Sequence, residues 1–112
     1  MIRYCLTLDL KEDESLIAEY ERWHQKVWPE IQKSIFDAGV LSLEIYRHET
    51  RMCMIMEVDE SFSFERKASM DAANAKVQEW EELMWKFQKA LPGSKPGEKW
   101  IAMKKIYDLK KV

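Results

Sequence analysis

The chain has 112 residues, 18 of them basic and 20 acidic, and a formal net charge of −2. That length suits one domain, residues 1–112, with room for a core that needs no disulfide or metal staple. The charge balance leaves no electrostatic footprint for nucleic acid or an acidic membrane surface.

Cys5 and Cys53 stand apart in apolar stretches and lack the spacing of a disulfide framework or a zinc site. They are expected to be reduced core residues. No apolar run is long enough to span a bilayer, and Met1-Ile2-Arg3 leads straight into a strand pattern. A soluble, cytoplasmic protein is the expectation.

Ile2–Leu10 alternates like a strand, with Ile2, Tyr4, Leu6, Leu8 and Leu10 on one face. The polar run Lys11–Glu14 leads into a helix, and its acidic residues suit a helix N-terminus. That helix is expected to run to about Ala38, with Gly39 as its stop. Val40–His48 and Met52–Asp59 predict a hairpin, with Leu41, Leu43 and Ile45 sharing a face. Ser61 or Ser63 caps a helix starting near Phe62, and Asp71 marks a joint. Ala73–Leu91 shows apolar residues at helical spacing, 92–97 is a loop by composition, and Trp100–Leu109 predicts a last strand. Lys110-Lys111-Val112 is expected to be a solvated tail.

The order strand, helix, strand, strand, helix, strand is that of an α+β, ferredoxin-like antiparallel sheet with helices on one face. The other face would expose Cys53, Ile55 and Tyr46. An apolar patch of that kind normally meets another protein surface. A homodimer pairing its sheet faces, a dimeric α+β barrel, is therefore expected.

Residues 20–30 carry the chemistry. Tyr20, His24 and Trp28 are spaced four and four, so on a helix they fall on the stripe that also holds Leu16, Val27, Ile31 and Ile35. A phenol and an imidazole on a core-facing stripe each need a hydrogen-bond partner, which a polyhydroxylated ligand can supply. A core histidine bonded to a backbone carbonyl is the competing reading. Pro29 either kinks the helix or breaks it and restarts it.

Tyr-x-x-x-His-x-x-x-Trp-Pro-Glu at 20–30 resembles the N-terminal helix of the L-rhamnose mutarotase family, and the resemblance extends over nearly the whole chain. It implies a dimeric α+β barrel that interconverts sugar anomers without metal or cofactor. By the same motif it makes His24 the proton donor and Tyr20 a substrate-binding residue. Two family positions differ. Leu43 stands where the family has a second substrate tyrosine, and Trp80-Glu81 replaces a Trp-Trp pair. Trp80 has two readings, a ring stacked on the sugar or an ordinary core tryptophan. Glu81 likewise is a hydroxyl acceptor or a solvated residue. His48, at a strand end, reads as a surface turn residue, and Trp23, Trp28 and Trp85 as packing.

Ring opening needs one proton delivered and one removed, and a group titrating near neutrality can do both. The departures spare His24, so reaction class is better supported than the sugar. L-rhamnose is first choice by family, and L-fucose, also a 6-deoxy-L-hexose, is the alternative. A cofactor-free monooxygenase of the same architecture and a non-catalytic dimeric binding protein are the competing functions.

Overall fold

The structure, a computed structural model, describes residues 2–110. Of the expected tail only Lys110 lies within that range; Lys111 and Val112 fall outside it. The elements are β1 (Ile2–Leu10), α1 (Glu14–Gln25), α2 (Pro29–Asp37), β2 (Val40–His48), β3 (Arg51–Val58), α3 (Phe64–Ala72), α4 (Ala75–Met84), β4 (Gln88–Lys89) and β5 (Ile101–Ala102). The antiparallel sheet runs β2-β3-β1-β4, and β5 also pairs with β1. The α+β, ferredoxin-like expectation holds. The sheet of one chain is open and does not close on itself. No helix among the described residues is long and apolar enough to cross a membrane.

Local chemistry sets the boundaries. The Asp13 carboxylate accepts from the backbone N–H groups of Ser15 and Leu16 and starts α1. Of the two outcomes open at Pro29, the chain takes the break. α1 stops at Gln25, and Pro29 opens α2 at the position where its missing N–H costs nothing. The single helix expected to about Ala38 is thus two. Gly39 follows α2 at φ 100°, and a Cβ there would sit 2.6 Å from both Asp59 Oδ1 and Ser61 Oγ. Ser63, one of the two expected caps, accepts from Arg66 N–H, so α3 begins at Phe64 rather than near Phe62.

Leu8, Leu10, Met52 and Phe87 are at most 1% exposed, and each such side chain contributes about 1.5–3 kcal/mol on burial. With Tyr20, Ile31, Val77, Trp80 and Met84 they form the larger core cluster between sheet and helices. A bulge between Val40 and Ser42 shifts the phase of β2 by one residue. Val40 is buried and Leu43 half-buried, while Leu41 is turned out to 50% exposure, away from the shared face expected for it.

Two expectations fail in the C-terminal part. The helix expected over Ala73–Leu91 is α4, Ala75–Met84, started by an Asn74 cap. Turns carry the chain to Phe87, and Gln88–Lys89 then pairs with Asp9 and Leu10 of β1. The strand expected over Trp100–Leu109 is only Ile101–Ala102, and residues 103–110 form no helix or strand. β4 and β5 therefore share one edge of β1. β4 takes the Asp9–Leu10 end and β5 pairs with Leu6 and Thr7.

The cysteines also differ from expectation. They are half-buried on the sheet face away from the helices, not in either core cluster. Their sulfur atoms lie 3.1 Å apart, and that thiol contact, with partial burial, pushes Cys53 up to about 11.

Candidate active site

A cavity of about 380 Å³ opens between the helices and the inner sheet face, within the usual size range for small-molecule sites. The structure brings all five residues singled out in the sequence to its wall: Tyr20, His24, Leu43, Trp80 and Glu81. His48 lies elsewhere, exposed at the end of β2.

His24 sits in the last turn of α1, and its Nδ1 is 2.9 Å from the Tyr20 carbonyl oxygen. A carbonyl oxygen only accepts, so Nδ1 carries the proton in the neutral ring. That leaves Nε2, with its lone pair, as the nitrogen available to a ligand. Burial pushes the His24 pKa below its ordinary value, and the bond to the Tyr20 carbonyl opposes this more weakly. The ring is therefore neutral at physiological pH. His24 is thus bonded to a backbone carbonyl through Nδ1 and also lines the cavity.

Tyr20 is 4% exposed and packs its ring 4.4 Å from that of His24. Burial is the main cause that pushes its phenol up to about 12; the bond from Gln88 opposes it, and the Glu81 charge adds to it. The phenol keeps its proton at physiological pH.

Trp80 is a core tryptophan that also reaches the cavity wall. It is 7% exposed and packs edge-on against Trp23 and Trp28, at 6.3 and 5.1 Å. It also lines the cavity, 5.8 Å from the His24 ring. Trp23 and Trp28 are packing residues, as expected. Glu81 follows neither reading cleanly, because its carboxylate pairs with Lys99 Nζ at 2.6 Å. Lys99 also donates to the Glu81 backbone carbonyl and sits over the Trp85 ring. Burial pushes the Lys99 pKa down, and the Glu81 contact opposes that. Lys67 and Asp71, paired at 2.5 Å on α3, add a second ion pair to the wall. Leu43, Ile45, Met54 and Met56 supply an apolar side.

Two wall residues escaped the sequence reading. Gln88 lay inside a stretch read as helix, four residues after Met84 at the edge of its apolar stripe, but it was not singled out. Lys99 lay between a loop and an expected strand, and no local pattern marks it. The turn after Met84 and the packing of the 91–99 segment bring the two to the wall.

The family model for L-rhamnose mutarotase matches residues 3–109. An L-fucose mutarotase from Xanthomonas campestris pv. campestris is 50% identical over 111 residues, covering 97% of this chain and 89% of that protein. A UPF0734 protein from Dictyostelium discoideum is 32% identical, covering 95% and 88%. Among solved structures, an L-rhamnose mutarotase from Formosa agariphila matches at a TM-score of 0.72 and 18% identity, covering 98% of this chain and 100% of that one. Tetracenomycin F2 cyclase from Streptomyces glaucescens matches at 0.63 and 14% identity, covering all of both chains. These two structural likenesses show the fold alone. The sequence matches show more: the chain belongs to the L-rhamnose mutarotase family. It is a sugar isomerase of the mutarotase type.

Proposed function

We propose that the protein interconverts the α and β anomers of a 6-deoxy-L-hexose, with L-fucose its preferred sugar, and that His24 moves the protons. The observation that supports the mechanism best is the placement of His24. It lines the cavity with Nδ1 committed to a backbone carbonyl and the neutral ring's Nε2 left over. Nε2 takes the proton from the anomeric hydroxyl O1–H. The C1–O5 bond then breaks, C1=O1 forms, and the same proton passes to O5. O1 and O5 share C1, so one nitrogen reaches both with a small shift. Rotation about C1–C2 presents the other aldehyde face, and the steps run in reverse. Tyr20 offers a hydroxyl that stays protonated, and the apolar wall around Leu43 suits a 6-methyl group. The relative at 50% identity, an L-fucose mutarotase, and the departures at Leu43 and Glu81 support L-fucose over L-rhamnose. Polarimetry tests the choice. Single-anomer crystals of each sugar are dissolved, and the optical rotation should relax faster with protein, most for L-fucose. Faster catalysis on L-rhamnose would reverse the preference.

Leu43 and Glu81 are further expected to tune that preference. Leu43→Tyr with Glu81→Trp should raise activity on L-rhamnose relative to L-fucose by about tenfold. It should also lower stability, because Lys99, its side chain 11% exposed, loses its partner. An unchanged ratio would show that neither position contacts the sugar.

We also infer a homodimer that pairs open sheet faces into a barrel. Tyr46 is 55% exposed there beside Cys5, Cys53 and Ile55, and Ile106, Tyr107 and Leu109 are exposed beyond β5. Burying those side chains against a second copy removes apolar surface from water. Light scattering should give twice the chain mass at micromolar concentration; a monomer mass there would remove this inference.

A further inference from the structure

The cavity holds a polar group that the proton-transfer chemistry leaves unused. Gln88, in the two-residue strand β4, is 4% exposed and lines the cavity. Its Nε2 donates to the Tyr20 hydroxyl oxygen at 3.2 Å. Its Oε1 is buried and has no hydrogen-bond partner among the described residues. Leaving a buried carbonyl oxygen unpaired is destabilising, and an apolar side chain of similar shape would avoid that cost. The groups beside it are suggestive. Tyr20 accepts from the amide and keeps its own O–H free to donate. Oε1 itself is covered, so a turn about the end of the Gln88 side chain brings it to the cavity surface beside the Tyr20 hydroxyl. A sugar hydroxyl both donates and accepts, so it also satisfies the free amide atom if the amide is turned over.

We propose that Gln88 is a substrate-contacting, specificity-determining residue: its free amide atom takes a ring hydroxyl of the sugar next to the one bound by Tyr20. This rests on the mutarotase reading of the same cavity. The backbone of Gln88 is fixed by pairing with Leu10 of β1, and its amide is held by Tyr20. The backbone is therefore in place before substrate arrives, and binding needs only a turn of the amide that uncovers Oε1.

The test uses the full-length protein and Gln88→Met, which keeps the unbranched shape and removes both amide atoms. Anomer exchange is measured over a concentration series of L-fucose and of its monodeoxy analogues at ring positions 2, 3 and 4. In the wild type, one analogue should show a KM about tenfold higher than L-fucose because Oε1 is left unpaired. In Gln88→Met, KM for L-fucose should rise by a similar factor, and that analogue should lose its handicap. kcat should stay within a few-fold, and the melting temperature should change little, because relief of the unpaired Oε1 is offset by loss of the bond to the buried Tyr20 hydroxyl. Gln88→Leu repeats the test with a branched side chain. An L-fucose KM equal to wild type in the folded variants would overturn the proposal while leaving the mutarotase reading intact. Loss of folding in both variants would overturn it as well, making the amide a structural group. A wild-type protein that accelerates exchange of neither L-fucose nor L-rhamnose would overturn the functional reading first, and this proposal with it.

Discussion

His24→Asn is expected to lower catalysed anomer exchange by about 10²–10⁴, the usual worth of a positioned general acid–base. Asparagine can still donate to the Tyr20 carbonyl from the last turn of α1, but it has no nitrogen that titrates near neutrality. The structural cost is smaller. The ring contacts to Tyr20 and Trp80, at 4.4 and 5.8 Å, are weakened, each worth about 0.5–1.5 kcal/mol. Thermal melts should therefore fall by several degrees and remain cooperative. The pH profile gives an independent readout. In the proposed mechanism His24 acts in its neutral form, and burial lowers its pKa from the ordinary value of about 6.5. The wild-type rate should be flat near pH 7 and fall as pH drops below about 6.5, when Nε2 takes up a proton before substrate binds. The residual rate of His24→Asn should lack that inflection. A folded variant with the wild-type rate would remove His24 from the mechanism.

Trp80→Ala is expected to have the largest effect on stability, about 3–5 kcal/mol, the usual range for removing a buried large aromatic side chain. The ring is 7% exposed and is the common partner of Trp23, Trp28 and His24. For a chain of this size the melting temperature should drop by roughly 10–20 °C. Trp80→Phe separates packing from the substrate contact proposed for the ring. It keeps an aromatic face toward the cavity and recovers part of the packing, so it should melt above Trp80→Ala and retain measurable exchange. A melting temperature for Trp80→Ala within two or three degrees of wild type (roughly half a kcal/mol) would show that the tryptophan cluster is not part of the core.

The first two-thirds of the fold was legible because each element there carries its own signals. β1 alternates over nine residues and the helix stop at Gly39 has a positive φ. Pro29 forces a break or a kink whatever surrounds it. The rest depended on tertiary pairing. Phe87 and Leu91 keep helical spacing with Trp80 and Met84, so periodicity extends α4 past its end. Only the edge of β1, open at Asp9 and Leu10, draws Gln88 and Lys89 into the sheet. The bulge at Leu41 was hidden for a similar reason: β-branched and aliphatic residues on both sides fit either phase. In the site, Tyr20 and His24 were legible from four-residue spacing on a single helix. Gln88 and Lys99 reach the cavity from segments whose positions local sequence does not specify. That is also why the ion pair of Glu81 with Lys99 was missed while Glu81 itself was singled out.

The most direct measurement is saturation transfer in the proton NMR spectrum of L-fucose at anomeric equilibrium. No net reaction occurs there, so only a catalyst of anomer exchange alters the result. Irradiating one anomeric proton should deplete the signal of the other in proportion to protein concentration at pH 7, and His24→Asn at equal concentration should abolish the added transfer. A wild-type spectrum that shows no transfer beyond buffer, for both L-fucose and L-rhamnose, would contradict a mutarotase built on His24.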